Sequence, residues 1–339
     1  MSNSMTTEGP DDLKLSVPFH VARTCGIVMV CVPTIVGNSL SIIITHRVSE
    51  LAESTKVLMT CLAVCDLIIG VLGVAHVVAS AMNFWPFGQG FCMAHAILTL
   101  FSVTMSIVFI TFLNVERYVA VTMPLRFPSL FQRQRVIVVV TIGSVFCLLV
   151  TASFVCFYER PVVLLNTAAL FCNFDFSNVL LRMAMLCLWV VTPLITISVM
   201  YYRLIRISRY HARRIQPGQL VRVGADLQGA LVHGSDRKAL RTFIAVTAAF
   251  AFCWTPYTVS GAYAALSGTA LSELLELVVF WLAASNSFLN VFIYCLFNRP
   301  FRKTAKKFIG KKLRECGWRC STMPRQIRCE VEDEVDPAS

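Results

Sequence analysis

A few oxygen-bearing side chains lie inside long apolar stretches of this sequence. Asp66 is the most unusual, because a carboxylate in a membrane span is stable only when it is hydrated, paired or protonated. Ser106, Asn286, Ser287 and Asn290 lie in two other stretches, and Asn286 and Asn290 share one helical face. One acid with hydroxyl and amide oxygens suits a small, hard cation. The same groups also form hydrogen bonds between helices, so both interpretations stay open.

A second charged group ends the third apolar stretch, where Glu116, Arg117 and Tyr118 are consecutive. An acid next to an arginine can restrain it electrostatically, and Asp236 at the start of the sixth stretch is a competing partner.

Two apolar stretches contain an internal proline, Pro193 in the fifth and Pro256 in the sixth. A proline removes a hydrogen bond from the helix and kinks it. Two kinked helices in one bundle predict a moving part and not a static anchor.

The elements that position these residues follow from the composition. Hydrophobic residues make up 56% and charged residues 14% of the chain, against roughly 25% charged residues in soluble domains. So few charges cannot cover the surface of a soluble enzyme, and intrinsic disorder needs low hydrophobicity with high charge. The 339 residues leave room for six to eight membrane-spanning helices of about 20 residues each.

Seven apolar stretches are long enough to cross a bilayer. Their approximate ranges are 23–46, 55–82, 91–121, 136–157, 178–203, 239–266 and 273–297. Backbone polar groups in lipid must be paired within their own segment, so these stretches are predicted to be helices. The predicted fold is an all-α membrane protein with a seven-transmembrane helix bundle over 23–297.

Basic residues set the predicted orientation. The net charge of +11 comes mainly from two clusters, at 203–241 and 299–328, while 242–298 contains no lysine or arginine. A nucleic-acid-binding domain would mix basic residues with a soluble core, whereas basic loops between apolar spans mark the cytoplasmic side. We therefore predict no nucleic-acid partner, an extracellular N-terminus at 1–22 and a multi-pass protein of the cell membrane.

The segment 298–313 is predicted to be a short amphipathic helix 8, followed by a cytoplasmic tail at 314–339. Phe301, Ala305 and Phe308 recur at helical spacing among lysines, which is typical of a helix on the inner leaflet and makes membrane lipid a partner. A solvated charge run is the alternative interpretation.

The sequence has 14 cysteines, most of them inside apolar stretches, where cysteine is usually a small core residue. Cys92 and Cys172 both face the outer, oxidising side, so a disulfide between them is plausible. Cys316 and Cys320 follow the amphipathic segment and are either palmitoylated or free cytosolic thiols. No spacing of cysteine and histidine predicts a metal site.

Together these features resemble the rhodopsin-like (class A) G-protein-coupled receptors over residues 23–313. The motifs occur in the order of that family along the seven spans. They are Gly37-Asn38, Leu62-Ala63-Val64-Cys65-Asp66, Trp85-Pro86-Phe87-Gly88, Glu116-Arg117-Tyr118, Pro124-Leu125, Pro193 with Tyr201, Phe250 with Cys253, Trp254 and Pro256, Asn290 with Tyr294, and Phe301.

The resemblance implies a role for each group. It implies a disulfide between Cys92 and Cys172. It implies no cofactor except an allosteric sodium ion, bound by Asp66, Ser106, Asn286, Ser287 and Asn290. It implies a connector that repacks on activation, formed by Ile107, Pro193, Phe250, Trp254 and Pro256. It implies a switch for a heterotrimeric G protein, formed by Glu116, Arg117, Tyr118, Asp236, Tyr201 and Tyr294.

Several positions depart from the family pattern. Val291 replaces the proline of the seventh span, which removes the usual kink and puts the usual inward swing of Tyr294 in question. Thr99 takes the place of the amine-binding aspartate of monoamine receptors. The fourth span has no tryptophan, and 242–298 has no lysine for a retinal Schiff base, so an opsin is not expected. The seventh span resembles that of a small group of orphan receptors without this proline.

The expected ligand cavity is apolar and uncharged. Its wall is predicted to consist of Thr99, Val103, Met185, Trp254, Tyr257, Thr258, Phe280 and Ala284. A neutral, hydrophobic ligand therefore fits better than a charged amine. A second hypothesis concerns three aromatic residues of the loop before the fifth span, Phe171, Phe174 and Phe176. Under this hypothesis they fill the cavity themselves, in which case signalling is partly independent of a ligand. The alternative is that they only pack against the ends of the helices.

The predicted function is a receptor that passes an extracellular signal to heterotrimeric G proteins when the cytoplasmic end of the sixth span moves outward. Arrestin is a further expected partner. The alternative is a transporter or channel, which would need a continuous polar path, whereas only the Asp66 cluster is polar here. No nucleophile or metal cluster near a membrane interface indicates an enzyme.

Overall fold

The computed structural model describes residues 17–157, 172, 179–214, 225–269 and 271–315, and these residues form helices without any strand. Seven helices and a shorter eighth follow in order, namely α1 (Val17–Arg47), α2 (Glu53–Met82), α3 (Gly88–Thr122), α4 (Arg133–Phe157), α5, α6 (Ala225–Ser267), α7 (Glu273–Phe297) and α8 (Arg299–Glu315). The α5 helix consists of Val179–Leu186, a π-helical turn Cys187–Val191 and Thr192–Arg214. One further helical turn, Phe127–Leu130, joins α3 to α4.

The helices agree with the seven apolar stretches predicted from the sequence. In the described part of the chain, segments of α1, α2, α3, α4 and α7 are long and apolar enough to cross a membrane, at 21 to 35 residues each. The α6 helix is 43 residues long and begins well before its predicted span. The turn Phe127–Leu130 was not predicted, because four residues give too short a pattern to recognise.

The proline of α5 coincides with a local widening of the helix. The π-helical turn ends at Val191, two residues before Pro193. Proline has no N–H to donate to the carbonyl four residues earlier, that of Trp189. In the turn before it, Thr192 Oγ1 donates to the Cys187 carbonyl at 2.9 Å. The irregularity is therefore absorbed within one turn.

The core lies where α2, α3, α6 and α7 meet. Leu62, Ile110, Leu113 and Phe250 are each at most 1% exposed and belong to one apolar cluster. The α4 helix lies at the edge, since 11% of its spanning window is buried, against 50% for α3. This peripheral helix directs its apolar side chains at lipid, and α3 carries the residues that position the site.

Two glycines let α1 approach α2 closely. A Cβ atom on Gly70 would lie 2.9 Å from side-chain atoms of Thr34 and Ile35, and one on Gly73 would collide with the Cys31 sulfur. Small residues at helix contacts are the usual means of tight packing in membranes. This contact fixes the α2 segment next to Asp66, which lies one turn before Gly70.

The α7 helix is unbroken from Glu273 to Phe297, with Val291 where the resembling family has proline. Val291 packs beside Gly37 of α1, at which an added Cβ would lie at 3.6 Å. Asn38 Nδ2 donates to the Ser287 carbonyl at 3.0 Å. In an α-helix that carbonyl also faces the Val291 N–H, and a carbonyl oxygen can accept two hydrogen bonds. The α1 helix thus contacts α7 at the replaced position.

Candidate functional site

Asp66 is fully buried in the middle of α2 and accepts hydrogen bonds from uncharged groups on two other helices. Ser106 Oγ of α3 donates to Oδ1 at 3.0 Å, and Asn290 Nδ2 of α7 donates to Oδ2 at 3.0 Å. The Ser287 side chain also lies against this carboxylate. Polar residues from three separate stretches therefore meet in one pocket.

Two amide oxygens of α7 are buried without a hydrogen-bond donor in the part of the chain that the structure describes. They are Oδ1 of Asn286 and Oδ1 of Asn290, on side chains at most 4% exposed. Hard cations prefer carboxylate and carbonyl oxygens as ligands, so these atoms and Asp66 fit a sodium ion. Among the described residues, no group of three or more His, Cys, Asp or Glu could hold a metal ion. The sodium site stays a prediction.

Glu116, near the C-terminal end of α3, is the second fully buried carboxylate among the described residues. Its Oε1 accepts hydrogen bonds from Ser54 Oγ at 2.5 Å and Thr55 Oγ1 at 2.7 Å, both in the first turn of α2. Arg117 Nη2 donates to Thr55 Oγ1 at 2.7 Å, and Arg117 Nε lies 3.8 Å from Glu116 Oε2. Thr55 therefore bridges the acid and the arginine.

Sequence reasoning missed Ser54 and Thr55. The available signal was a pair of hydroxyl residues at the cytoplasmic start of the second apolar stretch. Ser54 is 2% and Thr55 0% exposed, and buried hydroxyls need partners, but the sequence alone did not say that the partner was Glu116.

Tyr294 is buried near the end of α7. It is 2% exposed, and its ring lies 5.9 Å from that of Phe301. The hydroxyl has no hydrogen-bond partner among the described residues. An α7 helix without proline thus still places Tyr294 inside the bundle. Tyr118 lies one residue beyond Arg117 and is half-buried.

The predicted connector residues lie on three helices. Ile107 of α3 and Phe250 of α6 are 3% and 1% exposed and share the main apolar cluster. The Phe250 ring lies 6.1 Å from that of Trp254, and Pro256 follows inside the same helix. Pro193 is half-buried in α5. Their role in activation stays a prediction.

The predicted ligand-cavity residues lie on α3, α6 and α7, and those whose side chains are described are all half-buried and uncharged. They are Thr99, Val103, Trp254, Tyr257, Thr258, Phe280 and Ala284. Trp254 and Tyr257 are in ring contact at 5.8 Å. Thr99 Oγ1 and Trp254 Nε1 are buried without a hydrogen-bond partner in the described part of the chain.

An aromatic cluster, which sequence reasoning did not identify, covers the outer ends of α2, α3 and α7. The rings of His76 and His95 lie 4.7 Å apart, Trp281 lies 5.7 Å from His76, and Trp85 lies 5.6 Å from His95. His95 also contacts the Leu72 carbonyl through Nε2 at 3.2 Å. The two histidines lay in apolar stretches that gave no pairing signal.

The predicted disulfide is present. Cys92 at the outer end of α3 is bonded to Cys172, with their Cα atoms 5.5 Å apart, a usual separation. Both residues are buried, and Trp85 packs against the pair. The bond ties the chain between α4 and α5 to α3, beside the aromatic cluster.

With the geometry of these motifs described, the sequence can be compared with known families. The family model described as 7 transmembrane receptor (rhodopsin family) matches residues 37–294, most of the chain. The chain belongs to this rhodopsin family. The relatives of this rhodopsin-family receptor include the histamine H2 receptor of Rattus norvegicus, 30% identical over 86% of this chain and 79% of the relative. The histamine H2 receptor of Canis lupus familiaris is 28% identical over 85% and 79%. Trace amine-associated receptor 1 of Macaca mulatta is 26% identical over 86% and 89%.

This rhodopsin-family receptor is therefore a multi-pass, G-protein-coupled receptor and not an enzyme. Family membership implies a heterotrimeric G protein on one side and an extracellular ligand on the other. The prediction of a seven-transmembrane helical bundle is confirmed, and the alternative of a transporter or channel is not favoured.

Some predicted residues of the receptor lie outside the described positions. The backbones of Met185, Tyr201 and Asp236 lie in α5 and α6, but their side chains are not described. Positions outside the described residues altogether are Cys316, Cys320, Phe171, Phe174 and Phe176. Their roles stay predictions.

Proposed function

We propose that the resting receptor holds Arg117 through Glu116 and Thr55, and that activation releases Arg117 to bind a heterotrimeric G protein. The observation that carries this proposal is the buried chain of contacts from Glu116 through Thr55 to Arg117, where each bond is 2.7 Å. An arginine held by two groups in the bundle is not available to a partner. Outward movement of the cytoplasmic end of α6 opens the face on which it lies.

The connector residues offer a route from the predicted ligand cavity to the Arg117 switch. Phe250 lies in the main apolar cluster with Ile107 and contacts Trp254, which borders the predicted ligand cavity. A ligand that favours a different Trp254 position therefore changes the packing around Phe250. It shifts the equilibrium only by its difference in affinity for the two states.

The proposed ligand is uncharged and mainly hydrophobic, with at least one hydrogen-bond acceptor. Trp254 Nε1 and Thr99 Oγ1 supply donors, and no described side chain of the cavity wall is charged. A charged amine is the second candidate, because relatives are named for histamine and trace amines. Glu276 of α7, one turn from Phe280, is the carboxylate that such an amine would meet.

Radiolabelled histamine separates these ligand candidates. We expect no saturable high-affinity binding to membranes that contain the receptor. If histamine binds saturably, and this binding is lost in Glu276→Gln but kept in Glu273→Gln, the ligand is a charged amine and the proposal of an uncharged ligand is wrong.

The Asp66 pocket is proposed to bind an allosteric sodium ion. Asp66, Ser106, Asn286, Ser287 and Asn290 would hold it, and its positive charge would compensate the buried carboxylate. Neutral hydrogen-bond donors alone leave that carboxylate charged and desolvated, which is costly in a membrane. An ion that favours the packed resting bundle would lower basal signalling.

Orientation and the remaining partners are proposed from charge and tail composition. The N-terminus is extracellular, and the basic α8 and tail are cytoplasmic. Cys316 and Cys320 are the proposed palmitoylation sites, and arrestin is a further partner of the activated face. An epitope at the N-terminus should bind antibody on intact cells, whereas one at the C-terminus should require permeabilisation.

The decisive experiment measures second messengers without ligand. Cells expressing wild type, Arg117→Ala or Arg135→Ala at equal surface density are assayed for cAMP and inositol phosphate. Arg135 is a matched control, since it is exposed and donates to the Ser129 carbonyl and not to Glu116 or Thr55. We expect basal output with wild type and Arg135→Ala, and background output with Arg117→Ala. Equal output from wild type and Arg117→Ala would contradict the Arg117 switch.

A further inference from the structure

A cavity of about 660 Å³ lies between the cytoplasmic end of α1 and one face of α8. Arg47, the last residue of α1, and Glu50 just beyond it form one wall. Lys303, Lys307 and Lys311 form the other. No part of the G-protein switch or of the ligand cavity contributes to it.

The sequence of α8 explains this wall. Lys303, Lys307 and Lys311 recur every four residues, so they occupy one stripe along the helix. Phe301 and Ala305, 0% and 7% exposed, anchor the neighbouring stripe in the bundle. Asn298 begins the helix by accepting the Phe301 N–H at its Oδ1, at 3.1 Å, as an N-cap. The helix is therefore fixed at its start, and its lysine stripe is directed at α1.

Arg47 is held on the opposite side of the cavity. Its guanidinium carbon lies 4.2 Å from the centroid of the Phe308 ring, a cation–π contact. The contact positions the arginine above α8. Four cationic side chains therefore line this cavity, and Glu50 is the one carboxylate among its described lining residues.

This arrangement favours an anion. Like charges at a spacing of four residues destabilise a helix slightly, so the three lysines gain when an anion lies among them. Thr304 and Ser49 line the same cavity and add hydroxyl donors, which suit phosphate oxygens. The volume lies within the range of about 300–1,000 Å³ typical of small-molecule sites and exceeds what a single phosphate fills.

The position of α8 selects the source of that anion. The helix follows α7 after one residue, its apolar face lies in the bundle, and Ile309 is 42% exposed at its edge. A basic amphipathic helix of this kind lies at the level of the lipid headgroups. Basic pockets on the cytoplasmic side bind the headgroups of anionic lipids.

We propose that this cavity binds the headgroup of a phosphorylated inositol phospholipid of the inner leaflet, with phosphates between Arg47 and the lysine stripe. Four cationic side chains and one carboxylate favour a multiply phosphorylated headgroup over a headgroup with a single net negative charge, such as that of phosphatidylserine. The lipid joins α1 to α8 and so stabilises the docking of Phe301 on Tyr294. The placement on the inner leaflet rests on the proposed orientation of the receptor.

The test uses the purified full-length receptor in neutral detergent and short-chain lipids. Binding of dioctanoyl phosphatidylinositol 4,5-bisphosphate, dioctanoyl phosphatidylserine and inositol 1,4,5-trisphosphate is titrated separately. The cavity variant is Lys303→Gln, Lys307→Gln and Lys311→Gln. The control variant removes the same charge elsewhere on α8, by Lys306→Gln, Lys312→Gln and Arg314→Gln. The assay needs neither a ligand nor a G protein, so failure of the proposed switch does not affect it.

We expect the bisphosphate lipid to bind wild type at least tenfold more tightly than phosphatidylserine. The cavity variant should lose at least tenfold, and the control variant less than threefold. Equal losses in the two variants would show diffuse attraction only and overturn the site. If inositol trisphosphate binds as tightly as the bisphosphate lipid, the site recognises a soluble phosphate, and the proposal of a lipid ligand is overturned.

Arg47→Gln provides a second variant if the triple change unfolds the receptor. It leaves α8 intact and should weaken lipid binding at least threefold with an unchanged melting temperature. Unchanged lipid binding by Arg47→Gln would remove the α1 wall from the site and contradict the proposal.

Discussion

Asp66 and Glu116 are both fully buried acids, yet their surroundings differ in one respect. Asp66 is contacted by hydroxyl and amide groups from α3 and α7, none of them charged. Glu116 also receives two hydroxyl donors but has Arg117 at 3.8 Å. The chain supplies a cation to Glu116 and leaves Asp66 with neutral donors. The Asp66 pocket is therefore suited to an ion from solution, and the Glu116 site to a switch made of protein groups alone.

The two acids also differ in how their positions are fixed. Asp66 lies in mid-membrane, where α1 is locked against α2 by Gly70 and Gly73. Glu116 lies at the end of α3 and is held by the first turn of α2, next to a loop. A movement confined to the C-terminal end of α3 would therefore change the Glu116 contacts and leave the shape of the Asp66 pocket unchanged.

The largest expected effect comes from Asp66→Asn, which removes the charge that the sodium ion would compensate. Wild type should melt several degrees higher in NaCl than in equal KCl, because a ligand at 100 times its Kd adds about 2.7 kcal/mol of stability. The variant should show no difference between the salts. Ser102→Ala is the matched control, since Ser102 is buried in α3 without a partner among the described residues. A sodium-dependent melting shift that persists in Asp66→Asn would contradict the pocket.

Thr55→Val should raise basal second-messenger output by up to roughly tenfold. The change removes one bond to Arg117 and one to Glu116, and a hydrogen bond to a charged group contributes about 1.5 kcal/mol, close to a factor of ten. Ser54→Ala is the comparison, because its hydroxyl contacts Glu116 and not Arg117, so its effect should be smaller. Lower output from Thr55→Val would mean that the hydroxyls keep Glu116 away from Arg117.

Val291→Pro should cost less stability than the roughly 3 kcal/mol expected of a proline inside a helix. The Ser287 carbonyl would lose the Val291 N–H but keep the Asn38 amide at 3.0 Å. The same change in an Asn38→Ala background should cost about 1 kcal/mol more, which thermal denaturation of all four variants would measure. If the stability losses of Val291→Pro and Asn38→Ala simply add, the Asn38 amide does not compensate for the missing Val291 N–H.

Tyr294→Phe gives the smallest expected change. Its hydroxyl makes no hydrogen bond among the described residues, so removing it should change the free energy of unfolding by less than about 0.5 kcal/mol. Agonist-independent signalling reports whether the hydroxyl is needed in the active state. A melting shift equal to that of Ser106→Ala would show that Tyr294 is part of the Asp66 network.

The sequence predicted the seven spans and singled out the two acids Asp66 and Glu116, because charge is rare in the membrane and each occurrence is visible. Asp66 and Glu116 were found in this way. The partners of Glu116 were not, since Ser54 and Thr55 are common residue types whose burial depends on how α2 packs against α3. Their roles follow from tertiary contacts about 60 residues apart in sequence.

The departures from the family pattern were harder to interpret from sequence. Val291 indicated a changed α7, and the helix is indeed continuous, but Tyr294 is nevertheless inside. Backbone kinks and side-chain burial are separate properties here, because Phe301 of α8 packs on Tyr294. The aromatic cluster around His76 and His95 gave no pattern in one dimension, since its members come from three helices and a loop.

The length of α6 has a mechanical consequence. From Pro256 back to Ala225 the helix runs for roughly 46 Å at 1.5 Å per residue, longer than the apolar thickness of a bilayer. If the proposed movement of α6 pivots at Pro256, a tilt of about 10° would carry the far end by roughly 8 Å, and a small rearrangement beside Trp254 would be magnified there. A shorter α6 would transmit the same rotation with less displacement, so helix length would set the size of the movement at the G-protein side.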